Sequence, residues 1–95
     1  MLIVFATAIL KNGKNYEFID ASKDLIENTR VEIGCISYNL YNDCEAHETF
    51  VFVEKWNDEQ ALKKHMETTH FKDFVKKTSP LFVKDLDVVQ YFTKE

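Results

Sequence analysis

Residues 2–10, LIVFATAIL, form an almost unbroken apolar run rich in β-branched side chains, and this run limits what the chain can fold into. It reads as a strand buried on both faces rather than one with a wet side. It is too short to cross a bilayer, and it lacks the basic flank and following cleavage site of a secretory leader. The expectation is a central strand of a sheet, in a cytoplasmic protein, needing cover on two sides. Ninety-five residues make a single domain, 1–95. A chain this small buries only about 60–65 % of the surface its unfolded form exposes, so a monomer is marginal and a homodimer is expected. The composition supplies apolar surface for one: 45 % hydrophobic residues, with eight Phe, four Tyr and one Trp.

One Pro and two Gly leave little room for loops or linkers. After a turn at residues 11–14 the hydrophobic period changes. Phe18, Ala21, Ser22, Leu25, Ile26 and Thr29 fall on one face of a helix, with Asn15 as its N-cap and Glu17 in its first turn. Gly34 stands where the chain leaves that helix and can take a positive φ. Residues 35–41 read as a second strand, with Ile36, Tyr38 and Leu40 on one face. A turn starts at Asn42-Asp43. Residues 48–56 read as a third strand, with Phe50, Phe52, Glu54 and Trp56 pointing one way and Val51, Val53 and Lys55 the other. The short connection pairs these two strands as a hairpin. Asn57, with Gln60 three residues on, looks like a helix start, and Ala61, Leu62, His65 and Met66 share a face. A break is expected near Thr68-Thr69, with Thr69 capping a second short helix that carries Phe71, Phe74 and Val75. Pro80 ends it, and residues 85–92 form the last strand. The order β-α-β-β-α-β is the α+β, ferredoxin-like arrangement: a four-stranded antiparallel sheet with the helices on one face. The opposite face is left open, and a second copy of the sheet would cover it.

The net charge of -4 argues against a nucleic-acid partner, which needs a basic field. Lys63-Lys64 and Lys76-Lys77 read as solvated helix faces. Cys35 and Cys44 fit neither a zinc knuckle nor a Cys-x-x-Cys redox motif and are read as reduced. His47-Glu48 does not extend into a metalloprotease motif. His65 and His70 are five residues apart, about 140° on a continuous helix, unlike the i, i+4 pair of a zinc helix, so no metal site is expected.

The segment from Glu54-Lys55-Trp56-Asn57 through His65 to Thr68-Thr69-His70-Phe71-Lys72-Asp73-Phe74 resembles the signature of the antibiotic-biosynthesis-monooxygenase family. In that family Glu-x-Trp ends the third strand, a capped helix carries a His, and a small-residue break precedes His-Phe-x-x-Phe. The stretch Glu32-Ile33-Gly34-Cys35-Ile36-Ser37-Tyr38 resembles the start of its second strand, and the Gly13-Lys14 turn also fits. The likeness runs along essentially the whole chain and implies a dimeric α+β barrel. It also implies a reaction class found in small quinol-type members, oxidation of a small aromatic or quinol-like molecule by O2 without metal, haem or flavin. The family also holds haem-degrading proteins, an isomerase of a phosphorylated signalling sugar, and proteins without known activity. The haem-degrading branch places an Asn on strand one and a Trp on the second helical region; here residues 2–10 contain no Asn, and the only Trp is Trp56. Thr69 stands where many members have Pro.

Oxygenation without a cofactor needs a dry apolar cavity, a base to form the substrate anion, and polar groups to stabilise developing charge. His65, on the inward helix face, is the preferred base, with a structural histidine at the dimer rim or hydrogen-bonded in the core as the alternative. Glu54, a carboxylate on an otherwise apolar strand face, needs a buried partner such as Tyr, His or Trp Nε1-H; it would orient His65 or bind substrate, or equally serve a structural hydrogen bond or a dimer salt bridge. Tyr38 would donate to a bound oxygen or simply pack with its hydroxyl satisfied. Trp56, Phe50, Phe52, Phe71 and Phe74, with His70 at the start of the next helix, are candidates to line the pocket, although such aromatics are more often ordinary core and His70 more often packs or caps at the break. Two other readings stay open: a binding or stress-response dimer without chemistry, expected if no cavity of about 300 Å3 exists, and an isomerase of a small phosphorylated sugar, expected if cationic residues ring the pocket.

Overall fold

A computed structural model describes residues 1–94. In chain order the elements are β1 (Leu2–Ile9), α1 (Asn15–Arg30), β2 (Cys35–Asp43), β3 (Ala46–Trp56), α2 (Glu59–Met66), α3 (Thr69–Thr78), a 3-10 turn (Ser79–Leu81) and β4 (Asp87–Phe92). The four strands form one sheet in the order β2-β3-β1-β4, each neighbouring pair antiparallel. This is the ferredoxin-like α+β architecture. The second helical region is split in two, as the small residues at 68–69 suggest.

The apolar run at residues 2–10 takes a central place in the sheet because every second side chain meets a buried layer. Leu2, Val4, Ala6 and Ala8 are buried beneath the helices. Phe18 of α1 sits among Phe50, Phe74 and Phe82, with ring centroids 5.1–5.9 Å away, and packs the helix on the sheet. The buried hydroxyls of Ser22 and Thr78 donate to the carbonyls of Phe18 and Phe74, each at 2.7 Å, so neither is left unsatisfied under the helices. The alternate residues of β1 do not find the same cover. Phe5, Val89 and Tyr91 stay partly exposed on the far face of the sheet, with Phe5 and Tyr91 in edge-to-face contact at 5.9 Å. No helix among the described residues is long and apolar enough to cross a membrane.

Four local expectations are corrected. Ile36 does not share a face with Tyr38 and Leu40: Cys35 pairs with Trp56, but Ser37, not Ile36, pairs with Lys55. One extra residue is accommodated as a β-bulge, and Ile36 turns outward, 51 % exposed. The bulge sets Tyr38 opposite Glu54 and Leu40 opposite Phe52. Asn15 is not the cap of α1. Its Nδ2 donates to the His47 carbonyl at 2.9 Å, tying the helix start to β3. The later caps lie one residue from those expected. Asp58, not Asn57, accepts from the Ala61 amide, and Thr68, not Thr69, accepts from the Phe71 amide. In both, the capping oxygen sits three residues before the amide that it serves.

Gly34 has φ +91°, and a Cβ there would lie 2.5 Å from the Ala61 Cβ. The turn out of α1 therefore presses against the first turn of α2, and the Asn57 amide donates to the Gly34 carbonyl at 2.8 Å. This close approach sets where α2 begins.

Candidate functional site

His65 is placed by the apolar face of α2 and is 1 % exposed. Rings enclose it: Trp56 at 4.8 Å, Phe71 at 4.9 Å and Tyr38 at 5.4 Å between centroids. Burial lowers its proton affinity below that of an ordinary histidine. A hydrogen bond and the charge of Glu32 oppose that shift, and His70 adds to it. The ring is therefore neutral at neutral pH. Its Nδ1 lies 2.8 Å from Glu32 Oε2, whereas Nε2 is buried with no hydrogen-bond partner.

The break after α2 produces a feature absent from the linear spacing. Thr68 Oγ1 donates to the His65 carbonyl at 2.7 Å while capping α3, and the chain turns sharply there. Instead of the ~140° of a continuous helix, the turn brings His70 beside His65, with ring centroids 6.2 Å apart. His70 Nε2 lies 2.7 Å from the same Glu32 oxygen. The expectation that the two histidines stand apart is thus overturned. Glu32, from the turn after α1, was not singled out in the sequence at all; the only signal for it was its place in the segment that resembles the start of the family's second strand. The three donor atoms lie within 4.8 Å of one another, a spread that could hold a divalent cation. As they stand, both nitrogens already bond to one oxygen. Zinc bonds of about 2.0–2.2 Å would require the set to spread.

Glu54 points inward, 5 % exposed, and its Oε1 accepts from Trp56 Nε1-H at 3.0 Å. The partner is of the kind expected. Glu54 does not orient His65, however; that contact belongs to Glu32. Burial raises the Glu54 carboxyl to about 7, with the Trp56 hydrogen bond pulling the other way and the charge of Glu32 adding to the rise. Near neutral pH it can therefore hold or release a proton. Burial, then the charges of Glu54 and Glu32, raises the Tyr38 phenol, so Tyr38 stays protonated and is a donor. Burial likewise raises the Cys35 thiol, which is free, so it is a poor nucleophile.

Tyr38, Glu54 and His65 meet at a cavity of about 70 Å3 between the sheet and the α2–α3 helices. Of the aromatic candidates, Phe52, Phe71 and Phe74 line it. Three candidates do not. Trp56 lies behind Glu54 and His65, Phe50 packs against Phe18, and His70 is held on Glu32. The cavity also meets Val4, Ala6 and Gln90, which the sequence did not flag. Ala6 pairs with Phe52 on one side and Val88 on the other. Its single methyl between larger neighbours leaves the hollow. No Lys or Arg is among the lining residues.

Residues 1–77 match the sequence profile of a family described as antibiotic biosynthesis monooxygenase. The chain is 39 % identical over 90 residues to YcnE of Bacillus subtilis (strain 168), a protein named a monooxygenase only provisionally, with 95 % of each chain covered. A conserved protein from Methanosarcina mazei Go1 has a similar crystal structure (TM-score 0.94, 34 % identity, 98 % of this chain and 92 % of that one). So does a protein whose crystal structure is described as an antibiotic biosynthesis monooxygenase (TM-score 0.93, 32 % identity, all of both chains).

Proposed function

The chain belongs to the antibiotic biosynthesis monooxygenase family, and from that premise we propose that it oxidises a small aromatic or quinol-like substrate with O2, the substrate itself supplying the electrons. The observation that carries this reading is the buried, unpartnered Nε2 of a neutral His65 at an apolar cavity shared with Glu54 and Tyr38. In this reading an acidic C–H or O–H of the substrate gives its proton to His65 Nε2. The anion reduces O2, and a C–O bond forms. One oxygen atom stays in the product and the other leaves as water. A methylene oxidised to a carbonyl in this way balances with no external reductant. Tyr38 and protonated Glu54 donate hydrogen bonds to the developing oxyanion. The cavity walls exclude water, which strengthens those bonds. The catalytic residues are His65, Glu54 and Tyr38; Phe52, Phe71 and Phe74 hold the ring.

The reading includes a homodimer. Phe5, Val53, Val89 and Tyr91 lie on the sheet face that the helices leave open, and burying that face against a second copy would remove its apolar surface from water.

The cavity volume favours a second reading. At about 70 Å3 it is well below the ~300 Å3 at which small-molecule pockets begin, as expected of a dimer that binds or buffers without chemistry. The sugar-phosphate isomerase reading is weakened by the lack of a cationic residue in the lining. Oxygen consumption by metal-stripped protein across a panel of quinols and polycyclic phenols separates the first two. Turnover falling by about 10²-fold or more in His65→Ala supports the monooxygenase. Turnover unaffected by that change removes His65 from the chemistry, and no uptake across the panel favours the binding dimer.

A further inference from the structure

We propose that Glu32 is the positioning residue of this site: it fixes His65 in the tautomer protonated at Nδ1, leaving the Nε2 lone pair for the cavity, and His70 holds Glu32 in place. An ionised carboxylate only accepts hydrogen bonds. Two ring nitrogens, His65 Nδ1 at 2.8 Å and His70 Nε2 at 2.7 Å, meet the single oxygen Oε2, so both must carry their protons. A neutral imidazole has one N–H, and His65 is neutral because burial depresses its proton affinity. If Nδ1 holds the proton, Nε2 is bare, and Nε2 is the buried atom without a partner. Glu32 is not among the residues that line the cavity, whereas His65 is. The ring thus stands between the carboxylate and the space where a substrate would sit.

The arrangement is more than a satisfied ion pair. Exposure rises outward along it, from 2 % for the His65 side chain to 13 % for Glu32 and 22 % for His70. The second imidazole meets the same Glu32 oxygen, so the carboxylate is held by two rings. The other titratable groups gathered here are Glu54 on β3, Tyr38 and Cys35 on β2, and Arg30 at the end of α1. Glu32 and Glu54 are the two carboxyls that meet the site's ring N–H groups, and Glu54 is taken by Trp56. When His65 takes a proton at Nε2 it becomes an imidazolium, and the Glu32 charge is the one placed to stabilise it. Glu32 acts through His65 and touches no reacting atom. Its effect on turnover rests on the monooxygenase reading; the tautomer does not.

The test is NMR of the full chain with isotope-labelled histidine ring nitrogens, assigned with His47→Gln and His70→Asn. The wild type is expected to show His65 protonated at Nδ1 and bare at Nε2 at neutral pH. Glu32→Gln keeps an acceptor oxygen and should keep the tautomer while losing the charge. Glu32→Ala should let the ring exchange between tautomers. In a quinol oxygen-uptake assay, both variants should lower kcat by about 10–100-fold, the range typical for losing the carboxylate partner of a metal-bound His and carried over here by analogy, with KM little changed. A proton on Nε2 of His65 in the wild type overturns the proposal, and this result needs no variant to fold. A Glu32→Ala protein that keeps both tautomer and kcat also overturns it. So does stoichiometric Zn2+ binding that moves both ring signals, since the cluster would then be a metal site. The expected tautomers in a protein that consumes no oxygen would support the positioning role and overturn only the monooxygenase reading.

Discussion

Replacing Glu54 with Gln should remove a pH-dependent penalty of about 3 kcal/mol from the folded state. The Glu54 carboxyl rises from 4.5 to about 7 on folding, chiefly through burial. A folded-state value above the unfolded one means that the native protein holds a proton the unfolded chain has released. Stability is then unaffected by this group below pH 4.5, falls as pH rises through the interval, and is lowest above about pH 7. The rise of about 2.5, at about 1.4 kcal/mol for each pH unit, gives about 3 kcal/mol. The side chain is 5 % exposed, so solvent screens little of this. Gln has nearly the same shape and keeps an acceptor for Trp56 Nε1-H. Any cost of its extra N–H is the same at every pH. His65 acts in the opposite sense: its lowered folded-state affinity makes stability fall as pH drops below 6.5. Because both proteins carry His65, the difference between them isolates Glu54. Urea unfolding of both, at one protomer concentration and across this pH range, gives the two curves. They should run parallel below pH 4.5, and between there and above pH 7 the gap should shift by about 3 kcal/mol in favour of Gln. Parallel curves throughout would refute the claim that Glu54 is buried and protonated near neutrality.

Other consequences are simpler. Gly34→Ala places a side chain at φ +91° against Ala61 and should cost about 2 kcal/mol or more in chemical denaturation; a neutral result would mean that α2 does not press on this turn. Asp58→Ala should cost about 1 kcal/mol through loss of the helix cap, and Asn57→Ala much less; the reverse order would move the cap back to Asn57. Phe5→Glu puts a charge on the open sheet face and, if the proposed homodimer forms through it, should shift sedimentation toward a monomer; an unchanged oligomer would exclude that face as the interface.

The sequence by itself determined the order of elements, the sheet it builds and the side of β3 that faces inward. Those follow from local periods of two and 3.6 residues, which leave their mark on adjacent residues. Phe50, Phe52, Glu54 and Trp56 are buried as their alternation requires, and the need of Glu54 for an N–H donor was legible because a buried carboxylate must have one. Tertiary structure decided the rest. The bulge at Ile36 is invisible to alternation because one inserted residue is defined only against its partner strand. The cavity depends on Ala6 lying between Phe52 and Val88, a meeting of three strands that no single segment encodes. The assembly of Glu32, His65 and His70 depends on the helix break at Thr68 and on the turn after α1 arriving beside it. Spacing along one helix predicts where side chains point only while that helix continues. Once it breaks, convergence belongs to packing between segments more than thirty residues apart, which is why two histidines that looked unrelated in the sequence share one carboxylate oxygen in the fold.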